Sequence, residues 1–399
     1  MTAVVHAFRR GEWRTSLDTA ALPGTGGAAY GLALVPEIVA HADRRWWDTA
    51  RATLPPLTGR RELLAEAVEL FDRGTVAVGG VGAQDADGFR AALWNTAGLP
   101  GPLVDRWCAM LREGLPKRGG EPVPDDRLSL VALPGNTFTC LDSVLDQAER
   151  SGAVWVRPSR REPLSAARLV AALLAVGWPA ARIGLYPGEQ RSLHGLLKLA
   201  DRRIVYGGAG LAASVRDADS LTLHGPGRGC ALVPPGMPVE AAVDWLLPLI
   251  AADSGRFCRN VRTVICTDPA QSRALASSLA AALDAIPPDP AARDWPLTVF
   301  RDAETAHRAL RSIQERMRPG DRLLTRRDPV TEVDGAPCVL PGLVLLQAYE
   351  GHPLVGHEVP FPFAAVLTAT PETPETPETV RAITAESLFV HRPAKRGPA

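Results

Sequence analysis

The chain has 399 residues, of which 46% are apolar, with 44 basic and 44 acidic side chains. That length and apolar content suit more than one buried core, so two domains are expected, and the balanced charge gives no electrostatic reason for a nucleic-acid or anionic-membrane partner. Cys108, Cys140, Cys230, Cys258, Cys266 and Cys338 are scattered without C-x-x-C or Cys/His ligand spacing, which argues against a zinc site and a disulfide framework and suits a reducing cytoplasm.

The start, "MTAVVHAFRRGEW", lacks an apolar signal core. Stretches such as "LVAALLAVGWPA" are too short and broken to span a bilayer, so the expectation is a soluble protein. Residues 1–50 are mixed and Gly-rich. "GRRELLAEAVELFDRGT" then places apolar residues at helical spacing and closes on glycine, predicting an amphipathic helix. Further helical patterns in "DADGFRAALWNTAG" and "PLVDRWCAMLREGL" flank Gly/Pro punctuation, so the first 120 residues read as mostly helical. From residue 128 strand and helix alternate: "LSLVALPG", "TCLDSVLDQAERSG", "AVWVRPS", "EPLSAARLVAALLAVG" and "RIGLYPG". This order predicts a parallel α/β sheet with right-handed crossovers, whose strand carboxyl ends are where nucleotides bind. "RRIVYGGAGLAASVRD" and "LTLHGPGRGCALV" continue it as strand, glycine turn, short helix and strand. A second α/β unit begins near 236, with helices at "PVEAAVDWLLPLIAA" and "DPAQSRALASSLAAALDAI" and strands at "RTVIC" and "GLVLLQAY". "TPETPETPET" reads as a surface loop or linker.

Between the helix and strand of that second unit lies "DSGRFCRNVRTVIC". A free cysteine commonly serves as a small buried hydrophobe. Here Ser254 and Gly255 favour a tight turn, where a thiol can meet unpaired backbone N–H groups, and Arg256 and Arg259 add positive charge. Both effects favour thiolate, the attacking form. The stretch alone does not decide between filler and nucleophile.

Taken in order, "LPGNTF", "VRPSRREP", "YPG", "VYGGAG", "LHGPGRG", "SGRFC" and "HEVPFPF" resemble the aldehyde dehydrogenase superfamily over about residues 128–366. "VRPSRREP" and "GPGRG" are most similar to its acyl-CoA reductase branch, which includes the bacterial luminescence fatty-acid reductase. The resemblance implies an α/β, aldehyde dehydrogenase-like fold. A Rossmann-type NADP(H)-binding domain with a helical N-terminal segment would span residues 1–235, and a second α/β catalytic domain residues 236–399. It implies that Cys258 is the nucleophile and that Asn136 completes an oxyanion hole with the cysteine's own backbone N–H. Arg157, Ser159 and Arg160 fall where the family holds the adenosine ribose. Arginines at Arg157 and Arg160, where many members carry lysine and glutamate, suit a 2′-phosphate and favour NADP(H) over NAD(H).

Gly188 in "YPG" belongs to the same implied cofactor set. Gly207, Gly208 and Gly210 match the turn near the pyrophosphate, Glu358 matches the carboxylate on the nicotinamide ribose, and Phe361 the aromatic residue beside it. His224 stands where hydrolytic members carry a glutamate that activates water. A histidine there can act as a base or be a hydrogen-bonded strand-end residue. Loss of the carboxylate fits an enzyme that passes acyl groups between thiols. The resemblance therefore implies NADPH-dependent reduction of an acyl thioester, carried by coenzyme A or an acyl-carrier protein, with no metal. The alternatives are oxidation of an aldehyde to an acid and a non-catalytic binding protein. The chain ends shortly after "SLFVHRPAK", where family members usually continue into an arm that pairs subunits, so a homodimer is an open expectation.

Overall fold

The computed structural model describes residues 3–25, 29–115, 123–207, 211, 221–348, 351–369 and 378–393. Two compact units divide the chain, Met1–His224 and Gly225–Ala399. The division precedes residue 235 because Cys230–Leu232 pairs in parallel with both Thr263–Cys266 and Val390–His391, which commits it to the second unit.

The first unit is built on a seven-stranded sheet in the order Leu221–His224, Arg202–Tyr206, Leu128–Ala132, Ala153–Arg157, Ile183–Leu185, Ala7–Arg9, Glu12–Arg14. The first five are parallel, and the last two are added through antiparallel pairings. Every residue of Leu128–Ala132 and Ala153–Arg157 is buried, as expected for central strands covered on both faces. Leu141–Arg150, Leu164–Ala175 and Ser192–Leu199 are the crossover helices. "LSAARLVAALLA" is apolar almost all round and accordingly buried almost throughout.

The N-terminal region corrects the helical expectation. Helices Arg60–Arg73, Ala86–Ala97 and Gly101–Gly114 are present. Ahead of them, however, come five short strands between Val4 and Ala33, and Val76–Val78 with Gly82–Gln84 forms a hairpin. Strands of two to five residues are too short to display a period. Their partners are also distant: Phe8 lies opposite Leu185, a pairing that no local pattern reveals.

The second unit carries a six-stranded sheet in the order Arg322–Leu323, Gly342–Leu345, Phe363–Thr368, Thr263–Cys266, Cys230–Leu232, Val390–His391. It is parallel except at its Arg322–Leu323 edge. Helices Val239–Ala251, Pro269–Asp284 and Ala303–Gln314 accompany it. Asp268 and Asp302 cap two of these by accepting backbone N–H bonds at their first turns. The core of this unit gathers Ile265, Val344, Phe361, Phe363 and Leu367. Most of the Thr-Pro-Glu repeat, and most of the short helix expected after "YGGAG", lie outside the described residues.

Candidate active site

In the first unit, the expected cofactor residues collect at the carboxyl ends of successive parallel strands. Asn136 follows Leu128–Ala132, Arg157 ends Ala153–Arg157, Gly188 follows Ile183–Leu185, Gly207 follows Arg202–Tyr206, and His224 ends Leu221–His224. The register explains why: a parallel sheet with helical returns points every strand the same way, so one rim receives all five loops. Phe138 fixes the Asn136 loop from below, with its ring centroid 5.2 Å from that of Trp107 and 5.8 Å from that of Phe71. Gly208 and Gly210 lie outside the described residues.

The two candidate arginines differ. Arg157 is buried, and its guanidinium donates to the Gly188 carbonyl and to Gln190 Oε1, each at 3.3 Å. Burial, with the Arg160 charge as a second cause, lowers its pKa. Its Nε has no hydrogen-bond partner among the described residues. Arg160 is exposed at the rim, beside Ser159, whose Oγ accepts the Arg161 N–H. Among the described residues neither Arg160 nor the equally exposed Arg161 has an ion-pair partner, so both charges at this strand end are available to an anion.

His224 is exposed, yet its ring stacks on Tyr206 with centroids 4.5 Å apart and planes 14° from parallel. The two are register partners, and the Tyr206 hydroxyl lies 2.6 Å from Ser143 Oγ. Partial desolvation lowers the His224 pKa and favours the neutral imidazole, the form that can accept a proton. Sequence reasoning did not single out Tyr206. Its signal was its place opposite His224, which is visible only once the two strands are paired.

In the second unit, an unusual turn precedes Cys258. Asp253, Ser254 and Gly255 take φ of 56°, 54° and 63°, and left-handed backbone at non-glycine residues costs roughly 1–2 kcal/mol each. Three anchors hold it. Ser254 Oγ accepts the Thr298 N–H at 2.9 Å. Buried Asn260 accepts the Phe257 N–H at 2.7 Å and donates to the Leu249 and Ala252 carbonyls, each at 3.1 Å. Buried Arg262 donates to the carbonyls of Gly255, Val359 and Phe361, and so ties the cysteine loop to the segment carrying Glu358. Desolvation lowers the Arg262 pKa to about 10, which still leaves it charged at neutral pH. Gly255 also packs against the Phe361–Pro362 backbone, where a Cβ would fall 2.7 Å from three backbone atoms. Arg262 and Asn260 were not recognised in the sequence, because a charged residue opening an apolar strand reads as solvated until the strand is buried.

Cys258 is exposed, but its surroundings do not activate it as its sequence neighbours suggested. The thiol pKa is raised, first by removal of hydration and then by the Glu358 charge; Arg259 and the backbone N–H groups of residues 258 and 259 pull it down more weakly. Part of the reason is that the Arg259 guanidinium lies over the Phe257 ring, 5.0 Å from its centroid. Glu358 Oε1 accepts the N–H groups of Gly227 at 2.8 Å and Arg228 at 3.3 Å. Gly227 itself packs on the cysteine: a Cβ there would fall 1.8 Å from the Cys258 carbonyl oxygen. Phe361 is a core residue; its ring is buried and its carbonyl is an Arg262 acceptor.

The chain therefore joins a Rossmann-type unit, with its strand-end rim, to an α/β unit that presents a cysteine just beyond a strained turn, the architecture of aldehyde dehydrogenase-like proteins. Solved structures share that fold along nearly the whole chain. The NADP-dependent glyceraldehyde-3-phosphate dehydrogenase of Bacillus halodurans C-125, complexed with NADP, is 15% identical with a TM-score of 0.74, covering 100% of this chain and 92% of its own. A NAD-dependent benzaldehyde dehydrogenase from Corynebacterium glutamicum is 15% identical with a TM-score of 0.76, covering 98% and 90%. Lactaldehyde dehydrogenase from Escherichia coli is 14% identical with a TM-score of 0.72, covering 100% and 93%. No protein-family model matches the chain, and no curated protein matches it in sequence. Among the described residues no helix is long and apolar enough to cross a membrane, and no cluster of His, Cys, Asp and Glu is placed to hold a metal ion.

Proposed function

We propose that the protein is an NAD(P)-dependent oxidoreductase of the aldehyde dehydrogenase type that oxidises an aldehyde to a carboxylic acid through Cys258. The observation that carries this reading is the exposed thiol three residues beyond a left-handed turn, on a loop locked by Asn260 and Arg262. A filler cysteine needs neither exposure nor such a turn. Exposed Arg160 and the rim of strand ends suit a dinucleotide with a 2′-phosphate. Arg157 braces that rim through Gly188 and Gln190. A bound nicotinamide supplies the hydride acceptor for oxidation, or the donor for the reverse reaction.

The residues have these parts in the reading. The Cys258 thiolate forms a C–S bond to the carbonyl carbon, and the resulting oxyanion is met by N–H donors, with Asn136 assigned the side-chain share. Once the carbon has lost its hydride the adduct is a thioester. Neutral His224 takes a proton from water, the water oxygen bonds to the acyl carbon, the C–S bond breaks, and acid leaves with the thiolate restored. The aldehyde-oxidising activities named for structural neighbours point the same way.

A second reading, NADPH-dependent reduction of an acyl thioester from coenzyme A or a carrier protein, is favoured by the histidine that replaces a hydrolytic carboxylate at position 224. One experiment separates the two. The protein is incubated with a panel of aldehydes plus NADP+ or NAD+, and with acyl thioesters plus NADPH, while Cys258 is followed by mass spectrometry. Acid formation with an acyl-Cys258 intermediate supports oxidation; thioester-dependent NADPH consumption with aldehyde release replaces it with reduction. An unmodified Cys258 across both panels overturns the covalent mechanism.

A further inference from the structure

The last described strand closes on both sides of the nucleophile loop. Val390–His391 pairs in parallel with Cys230–Leu232, with Cys230 opposite Val390 and Ala231 opposite His391. Just before it, the Leu388 N–H donates to the Gly227 carbonyl and the Cys230 N–H to the Phe389 carbonyl, each at 2.9 Å. Arg228 pairs with Glu386 at 2.5 Å. His391 Nε2 then lies 2.9 Å from the Arg259 carbonyl, where it acts as donor. Gly227 and Arg259 are the walls of the Cys258 turn, one packed on its carbonyl and the other its chain neighbour.

We propose that this C-terminal strand is a positioning element for Cys258, with His391 acting through the Arg259 carbonyl and Leu388 through the Gly227 carbonyl to set the peptide planes around the thiol. The physical link is short. The N–H groups of residues 258 and 259 are the backbone donors that favour the thiolate. A hydrogen bond to the Arg259 carbonyl restricts rotation of that residue, and with it the direction of its N–H. Leu388, on the opposite wall, fixes the residue whose missing Cβ leaves room for Cys258. The charged groups that act on the thiol are Glu358 and Arg259, both present in every variant below, so a change in reactivity reports the strand.

This inference rests on Cys258 being the nucleophile, but its readout is thiol alkylation, which does not require turnover. The intact protein is treated with iodoacetamide between pH 6 and 10, and the Cys258-bearing peptide is quantified by mass spectrometry. Partly buried Cys140, in the other unit, serves as internal reference. His391→Phe, which fills similar space without a donor, should slow Cys258 alkylation near pH 8 by about ten-fold, the effect of losing most of one hydrogen bond to an ionised group. Its profile should move to higher pH while Cys140 is unchanged. His391→Gln, which retains an N–H donor, should restore the native profile. An unshifted profile in the Phe variant overturns the proposal, as does a Gln variant that behaves like Phe. If the Phe variant unfolds and exposes all six cysteines, the Gln variant decides: protected core cysteines with the native Cys258 profile support the proposal, and any other result rejects it. Inactivity toward every aldehyde and thioester alongside these shifts would reject the proposed function and leave the positioning role standing.

Discussion

At the residue scale, the Glu358 charge acts on Cys258 more strongly than Arg259, its neighbour in sequence. Glu358 raises the thiol pKa while its Oε1 holds the Gly227 and Arg228 amides. Glu358→Gln keeps an acceptor for those amides and removes the charge, so it should lower the thiol pKa and speed alkylation of Cys258 at pH 7. Competition kinetics with iodoacetamide against the parent protein measures this directly. An equal or slower rate would show that Glu358 stabilises the loop without acting on the thiol. Glu358 drew attention in "HEVPFPF" through resemblance alone; its two amide partners left no signal, because they lie about 130 residues away in sequence.

At the element scale, the cysteine loop and residues 225–229 form one structure, made possible by a glycine. Gly227→Ala would place a methyl group 1.8 Å from the Cys258 carbonyl oxygen, an overlap with backbone that no rotamer relieves. The expected result is a fall in Tm of about 5 °C or more, on the usual relation between free energy and melting temperature, with an altered Cys258 alkylation rate. Calorimetry on the variant checks it, and an unchanged Tm would mean the two loops separate at little cost. The sequence showed "GPGRG" as a glycine-rich loop after a strand. What it packs against required the parallel pairing of Cys230–Leu232 with Thr263–Cys266.

At the scale of the whole molecule, ionisation and cofactor are expected to set stability. His357, half-buried beside Ser312 and near Arg316 and Arg262, has its pKa lowered to about 4, first by desolvation and then by those two charges. In the unfolded chain a histidine titrates near 6.5. Between these values the unfolded state binds the additional proton, so this contribution is complete above about pH 6.5 and is lost as pH falls toward 4. His357→Gln should flatten that part of the Tm-versus-pH curve, measured at fixed ionic strength; a curve parallel to the parent's would assign the dependence to other groups. Saturating NADPH should raise Tm, since a ligand at 100 times its Kd contributes about 2.7 kcal/mol. The proposed Arg160 contact makes NADH the weaker stabiliser at equal concentration. Arg160→Glu should narrow that difference or reverse it, and equal shifts in the parent protein would remove the 2′-phosphate argument.

Sequence alone determined the features that repeat at short range. The alternation from residue 128 onward is one, because buried parallel strands must be apolar throughout and their crossover helices periodic. The ordered loop motifs that place Asn136, Arg157, Gly188, Gly207 and His224 after successive strands are another. Tertiary structure decided what depends on partners far along the chain. Strands of two or three residues near the N-terminus gain their stability from edges such as Ile183–Leu185 and leave no pattern of their own. The ionisation of Cys258 is the clearest case. Arginines stand one and two residues from it in sequence, but a thiol responds to charge and hydration in space, and in space partial loss of hydration and Glu358 outweigh Arg259. Coulombic and desolvation effects act over a few ångströms regardless of chain separation, so no reading of adjacent letters could have supplied their sign.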